Sequence, residues 1–337
     1  MENLLIFIFG AVFGLLIQYA NLNRFDVISK QATLKDNTVA KTILLAVGLG
    51  AVLLSIVMGA GWASFHVKPF VTGGIIIGGL VFGAGMAILG YCPGTLAISL
   101  GEGSLDAFVG ILGGLTGGFL FTVLLPSIKG ILGPNLGKIS LYSITGGFSV
   151  VYYIIAFIFG ALIIYLAFLI HKKSKSDSKK WMVSGAGLAV LNTIVFLGAT
   201  TNRPIGASTS YPYVADALTN TVNNTYFTKI ETPGHWELIF LIGAMLAAFV
   251  VSVVKKDFGL VLIHDNWKHQ KGDSVQKRIF YAFLGGFILI FGARMAGGCT
   301  SGHIISGGMQ LAVSSLTFGV FVFAGLLITG KLFYKKP

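Results

Sequence analysis

Long apolar runs free of charge dominate the chain, separated by short segments where Lys and Arg collect. The runs fall at residues 4–20, 42–62, 70–89, 107–125, 150–170, 181–198, 238–254, 279–295 and 311–327. Each approaches the roughly 20 residues that an α-helix needs to cross a bilayer, so the pattern predicts about nine transmembrane helices in an all-α polytopic membrane protein. The first residues carry no basic stretch or small-residue cleavage site, so no cleaved signal peptide is expected.

The cations sort by loop. Eighteen of the 24 Lys and Arg lie in segments 21–41, 171–180, 255–278 and the tail after 330. The alternate loops hold Lys68, Lys129, Lys138, Arg203 and Lys229, and Arg294 lies inside a span. Cytoplasmic loops concentrate Lys and Arg, which predicts the N-terminus outside and the C-terminus in the cytoplasm. Only 11% of the 337 residues are charged, against about 25% in soluble proteins. That excludes a soluble domain, a disordered chain and a nucleic-acid binder, and the net charge of +12 reads as topology.

Glycine and cysteine positions show a repeat. Gly78, Gly79, Gly85, Gly90 and Cys92 recur 207 residues later as Gly285, Gly286, Gly292, Gly297 and Cys299, with Ser99 falling on Ser306. Asn23-Arg24 and Asn202-Arg203 form a second pair, 179 apart. Two halves are expected, 1–149 and 181–337, joined by a linker helix and basic loop at 150–180. An odd linker span inverts the second half, the arrangement of many transporters with midplane binding sites.

Both cysteines, the only two in the chain, sit where Gly, Pro and small polar residues interrupt an apolar run. Irregular backbone at membrane depth is tolerated where it is buried or lines a cavity. Re-entrant loops are therefore expected at Tyr91-Cys92-Pro93-Gly94-Thr95 and at Gly297-Gly298-Cys299-Thr300-Ser301-Gly302-His303. Short helices after them would aim N–H groups at an anion; the alternative is that these glycines serve close helix packing. A thiol is a soft donor suited to a sulfur substrate, or a group able to pass through a persulfide. Arg294 either attracts an anion or pairs with a carboxylate such as Glu102. Segment 202–217 either enters the cavity or forms turns. Neither a metal site nor a cofactor motif is expected.

The motifs GYCPGT at 90–95 and GGCTSGH at 297–303, with Gly-Glu-Gly after the first and Ser306-Gly307 after the second, resemble those of the YeeE/YedE family of sulfur-compound transporters. The resemblance spans the chain in helix number and length. It implies an hourglass of inverted halves, uptake of thiosulfate, and transfer of the anion between cysteines by S–H hydrogen bonds. It further implies a bacterial inner membrane and a small cytoplasmic sulfur-carrier protein as partner. Asn23 stands about where that family commonly has a further cysteine, so the inner end of the path is expected to use an amide. Other readings left open are another sulfur or selenium species, a membrane sulfurtransferase and an unselective anion channel.

Overall fold

A computed structural model describes residues 2–174, 178–220 and 224–334; Lys175, Lys335 and Lys336 of the topology count lie outside them. The first half holds α1 (Glu2–Tyr19), α2 (Phe25–Gln31), α3 (Thr38–Gly59), α4 (Thr72–Leu89), α5 (Pro93–Gly101), α6 (Leu105–Leu132) and the short α7 (Leu141–Ile144). After α8 (Val150–Lys173) come α9 (Lys180–Phe196), α10 (Ser210–Thr219), α11 (Thr225–Val254), α12 (Asp265–Lys271) and α13 (Val275–Ala296). A π-helix, Thr300–Gly307, and α14 (Val313–Phe333) complete the chain.

Among the described residues, eight helices are long and apolar enough to cross a membrane, α4 and α5 counting as one stretch. The remaining predicted span, α9, has 17 residues, about 25 Å at the α-helical rise and so slightly short of a ~30 Å hydrocarbon core. The chain is a multi-pass, all-α membrane protein. In lipid every backbone polar group must be satisfied within the segment, which is why these runs are helical. α8 turns most of its surface outward, with Ile154, Ile158, Leu162 and Tyr165 exposed, as a lipid-facing helix does.

The packing follows the sequence repeat. α4 lies on α13 and α14, α13 also lies on α6, α1 lies on α11, and α3 lies on α9. A Cβ on Gly78 would stand 2.9 Å from the Ala296 nitrogen, and one on Gly285 would stand 2.8 Å from the Leu89 nitrogen. Likewise Gly85 would meet Leu289 at 2.4 Å and Gly292 would meet Phe82 at 2.5 Å. Each contact maps onto the other by the same 207-residue offset. Small residues permit this approach, the usual basis of helix association in lipid. Gly286 is among the tightest, since a Cβ there would stand 2.0 Å from the Gly110 carbonyl oxygen. Gly286→Ala is expected to destabilise the protein by about 1–3 kcal/mol through overpacking. Thermal unfolding in detergent measures this as a lowered midpoint.

The basic segments share one end of the bundle. Asp26 accepts from Asn266 N–H at 2.9 Å, Phe333 packs on Trp267, and Lys41 Nζ donates to Ser174 at 3.4 Å. At the opposite end, the loop before α4 pairs with residues after α6, Phe70 N–H donating to Gly137 O at 2.8 Å.

Candidate functional site

The two helices related by the repeat end alike. α4 stops at Gly90 with φ +81° and α13 at Gly297 with φ +76°, the left-handed C-terminal geometry that glycine adopts without a Cβ penalty. Cys92 and Cys299 follow in extended backbone, each immediately before the next helix. After Cys92 the first helical residue is Pro93, where a missing N–H is harmless. Cys92 N–H donates to Thr95 Oγ1 at 2.8 Å, and Thr95 Oγ1 lies 3.4 Å from Cys92 Sγ. Pro93 O accepts from the Tyr211 hydroxyl at 3.0 Å. Cys299 Sγ lies 3.3 Å from Ser301 Oγ.

The two cysteine loops come together. Cys92, Gly94 and Thr95 of one and Thr300, Ser301 and Ile305 of the other wall a cavity of about 50 Å³, closed by apolar side chains including Phe13 and Leu188. Tyr211 of α10 lies within electrostatic reach of both thiols. Ala207, just before α10, approaches Gly94, to whose Cβ position its own Cβ is 3.7 Å. Segment 202–217 thus reaches the first cysteine loop.

Other expected residues have structural partners. The buried Tyr91 hydroxyl lies 3.2 Å from each Asp106 oxygen and 2.9 Å from His264 Nε2. His303 is fully buried. Because the Ala296 carbonyl only accepts, Nε2 carries the proton and donates to it at 2.8 Å. His303 Nδ1 then accepts from the Ser315 hydroxyl at 2.9 Å. The ring packs on Phe318 and against Gly298, fixing the second loop between α13 and α14. Lys68 passes along this loop, its Cε standing 3.1 Å from a Cβ on Gly298 and 3.7 Å from one on Gly302.

Arg294 Nη1 donates to Thr209 Oγ1 at 2.8 Å, while its Nε is buried without a partner. Glu102 is not its partner. At the basic end, Glu102 Oε2 accepts from Asn23 Nδ2 at 2.8 Å. Asn23 also holds α5, its carbonyl accepting from Ser99 Oγ at 2.6 Å, and its Oδ1 is buried without a partner. Ser306, the counterpart of Ser99, donates to Ile205 O at 3.1 Å. By hydrogen bonding the counterpart of Asn23 is therefore Ile205. Asn202 accepts from Ser64 at 2.9 Å, and Arg203 lies 4.6 Å over the Trp236 ring.

Two charged elements escaped the sequence reading. Lys68 Nζ donates to Gly297 O at 2.7 Å, capping the loop that holds Cys299. Asp106 pairs with Arg278, both fully buried, and Arg278 lies 4.4 Å over Phe25 and 4.7 Å over Trp267. Sorting cations by loop hid both, because Lys68 and Arg278 belong to loop segments by sequence. The available signal was position, since Lys68 lies just before α4 and Arg278 near the start of α13, the two repeat-related helices. The basic end opens into a vestibule of about 590 Å³, lined among others by Arg24, Glu102, Lys180, Lys255 and His264. Among the described residues no three His, Cys, Asp or Glu side chains group to hold a metal.

A family profile described as sulphur transport matches residues 24–328. The chain is 25% identical over 343 residues to the protein named Thiosulfate transporter TsuA from Spirochaeta thermophila, covering 97% of this chain and 98% of that one. It is 19% identical over 347 residues to the protein of the same name from Escherichia coli K12, covering 97% and 94%. With its profile match running almost from end to end over two cysteine loops that meet in one cavity, the chain belongs to the sulphur transport (YeeE/YedE) family.

Proposed function

We propose that the protein carries thiosulfate across a bacterial inner membrane, from the Lys68 end to the basic end, between two inverted halves at 1–149 and 181–337. The meeting of both cysteine loops in one cavity carries this reading. The 207-residue symmetry of the α4–α13 contacts supports the inverted halves. By the concentration of Lys and Arg, the basic end and the C-terminus face the cytoplasm and the N-terminus faces outward. The names of the relatives supply the substrate.

Cys299 receives the anion first. Its S–H donates to the terminal sulfur while N–H groups at the start of the π-helix meet the oxygens. Cys92 takes it on, with N–H groups at the start of α5 in the same role. Asn23 offers its amide at the inner end, beside Glu102, and the anion leaves through the vestibule. A small sulfur-carrier protein docking there would consume it. No covalent bond to a thiol is required, so the protein acts as a transporter and not as an enzyme.

Uptake of thiosulfate labelled in both sulfur positions into proteoliposomes tests this. Both labels are expected inside as intact thiosulfate. Label divided between sulfite and protein-bound or sulfide-level sulfur overturns transport in favour of sulfur transfer. Chloride flux equal to thiosulfate flux overturns it in favour of an unselective channel.

A further inference from the structure

The two repeat-related helices carry the same cationic cap with opposite charge balance. At the basic end Arg278 donates to the carbonyl of Leu89, the last residue of α4, at 2.8 Å. At the other end Lys68 donates to the carbonyl of Gly297, which follows α13, at 2.7 Å. Arg278 comes from the start of α13, and Lys68 from the segment just before α4. Arg278 is neutralised by the buried carboxylate of Asp106. The residue 207 places after Asp106 is Val313, and its neighbour Ser314 donates to the Lys68 backbone carbonyl at 2.8 Å. Among the described residues, no carboxylate ion-pairs with Lys68.

A second cation, Arg294, lies within electrostatic reach of Lys68. Arg294 is 5% exposed and leaves Nε without a partner, and Thr300, 7% exposed, leaves Oγ1 without one. Thr300 also lines the cavity it shares with Cys92. Glu237 is close enough to act on Lys68, yet its Oε2 is taken by the N–H groups of Thr209 and Ser210. Lys68 and Arg294, the engaged acid Glu237 and two unmet polar groups therefore lie about the Cys299 loop. Buried charge is ordinarily matched by opposite charge and hydrogen bonds.

We infer that Lys68, Arg294 and Thr300 form an anion-capture site selective for doubly charged oxyanions, in which Lys68 exchanges the Gly297 carbonyl for the anion and releases the Cys299 loop to receive it. This rests on the transport reading for its direction, but not for its charge selectivity. Two cations discriminate a dianion from chloride by charge, and the thiols beyond them discriminate thiosulfate from sulfate by softness. The asymmetry with Arg278 places capture at one end only.

The groups facing Lys68 are Arg294, Glu237, Cys299 and Arg203, with His66 in its own loop. Burial, and then Arg294, hold the Lys68 ammonium below the usual lysine range. Its charge is lost as pH rises through that lowered value, so capture fades with rising pH sooner than an ordinary lysine would lose its charge. Arginine keeps its proton, and Lys68→Arg should carry capture to higher pH.

The test uses the full-length protein in detergent and in proteoliposomes. Binding is read as thermal stabilisation by sulfate, thiosulfate or chloride at matched ionic strength, because a ligand of the native state raises the unfolding midpoint. Sulfate and thiosulfate should stabilise and chloride should not. Lys68→Met should weaken both divalent anions about tenfold or more, the scale expected for losing a close charge partner. Lys68→Arg should retain binding and shift its alkaline limb upward. A Lys68→Met protein with wild-type midpoint shifts overturns the site. If Lys68→Met does not fold, stabilisation of the wild type by chloride as strong as by sulfate overturns it instead. Failure of the thiosulfate reading is separate: the wild type would then bind divalent anions with this Lys68 dependence but move no labelled thiosulfate.

Discussion

Cys299→Ala and Cys92→Ala should each abolish thiosulfate-dependent growth of a host lacking its own sulfate and thiosulfate uptake, with the protein still present in the membrane. The structural effect of either change is small. Among the described residues, Cys299 Sγ lies beside the Ser301 hydroxyl and Cys92 Sγ beside the Thr95 hydroxyl, and neither thiol holds elements together. Removing one sulfur from a site already beside a cavity costs on the order of 1 kcal/mol, too little to unfold a typical domain. The functional effect is large, because no other thiol is available: these are the only two cysteines in the chain. Cys→Ser keeps a donor but replaces a soft partner with a hard one, and slower growth, short of abolition, is the expected result. Growth curves beside membrane immunoblots decide the matter. Normal growth of both alanine variants would end the relay.

Asp106→Ala should produce the largest loss of stability. It would strand the fully buried Arg278, and breaking a buried pair from one side typically costs about 3–5 kcal/mol. Tyr91 and His264 would lose their shared acceptor at the same time, loosening the residue next to Cys92. Replacing both partners, Asp106→Ala with Arg278→Met, should recover most of the loss, since the charge and its counter-charge leave together. Thermal unfolding of the three purified variants measures this. An Asp106→Ala protein that melts with the wild type would show that the pair contributes little.

How far the sequence reveals this arrangement depends on whether charge interrupts the apolar pattern. α8 and α14 carry no charge across their apolar runs, and their positions agree with the predicted spans to within a few residues. α11 begins at Thr225, 13 residues before its predicted start, because Glu231, Pro233, His235 and Glu237 break the run. The fold accommodates Glu237 by giving its carboxylate the N–H groups opening α10, a partner no local window contains. α6 likewise continues through Pro126 and Lys129 to Leu132.

Both cysteine loops were legible from glycine, proline and the repeat. Their conformations were not: similar small-residue patterns yield an α-helix after Cys92 and a π-helix after Cys299. Lys68 and Asp106 sit at segment boundaries, where a sequence cannot distinguish a residue facing water from one turned inward. Tyr91 and His303 belong to the cysteine motifs, yet their hydrogen bonds to Asp106 and to Ala296 and Ser315 make them supports for the loops.

The unequal caps on α4 and α13 bear on energetics as well as on recognition. On the proposed capture, an ammonium without a paired carboxylate at one end would let the path fill at low concentration from that side, but whatever it contributes on binding would be lost again on release. Over a complete crossing it does no work. Moving a dianion into a compartment 100 mV negative opposes about 4.6 kcal/mol, at roughly 2.3 kcal/mol per charge, or a concentration ratio on the order of a thousandfold at about 1.4 kcal/mol per decade. Net accumulation therefore needs an outside source of drive. Rapid consumption of the anion on the cytoplasmic side is one such source, and passage together with more than two protons is another. The first makes uptake stop when metabolism stops, while the second makes it collapse when the proton gradient is discharged.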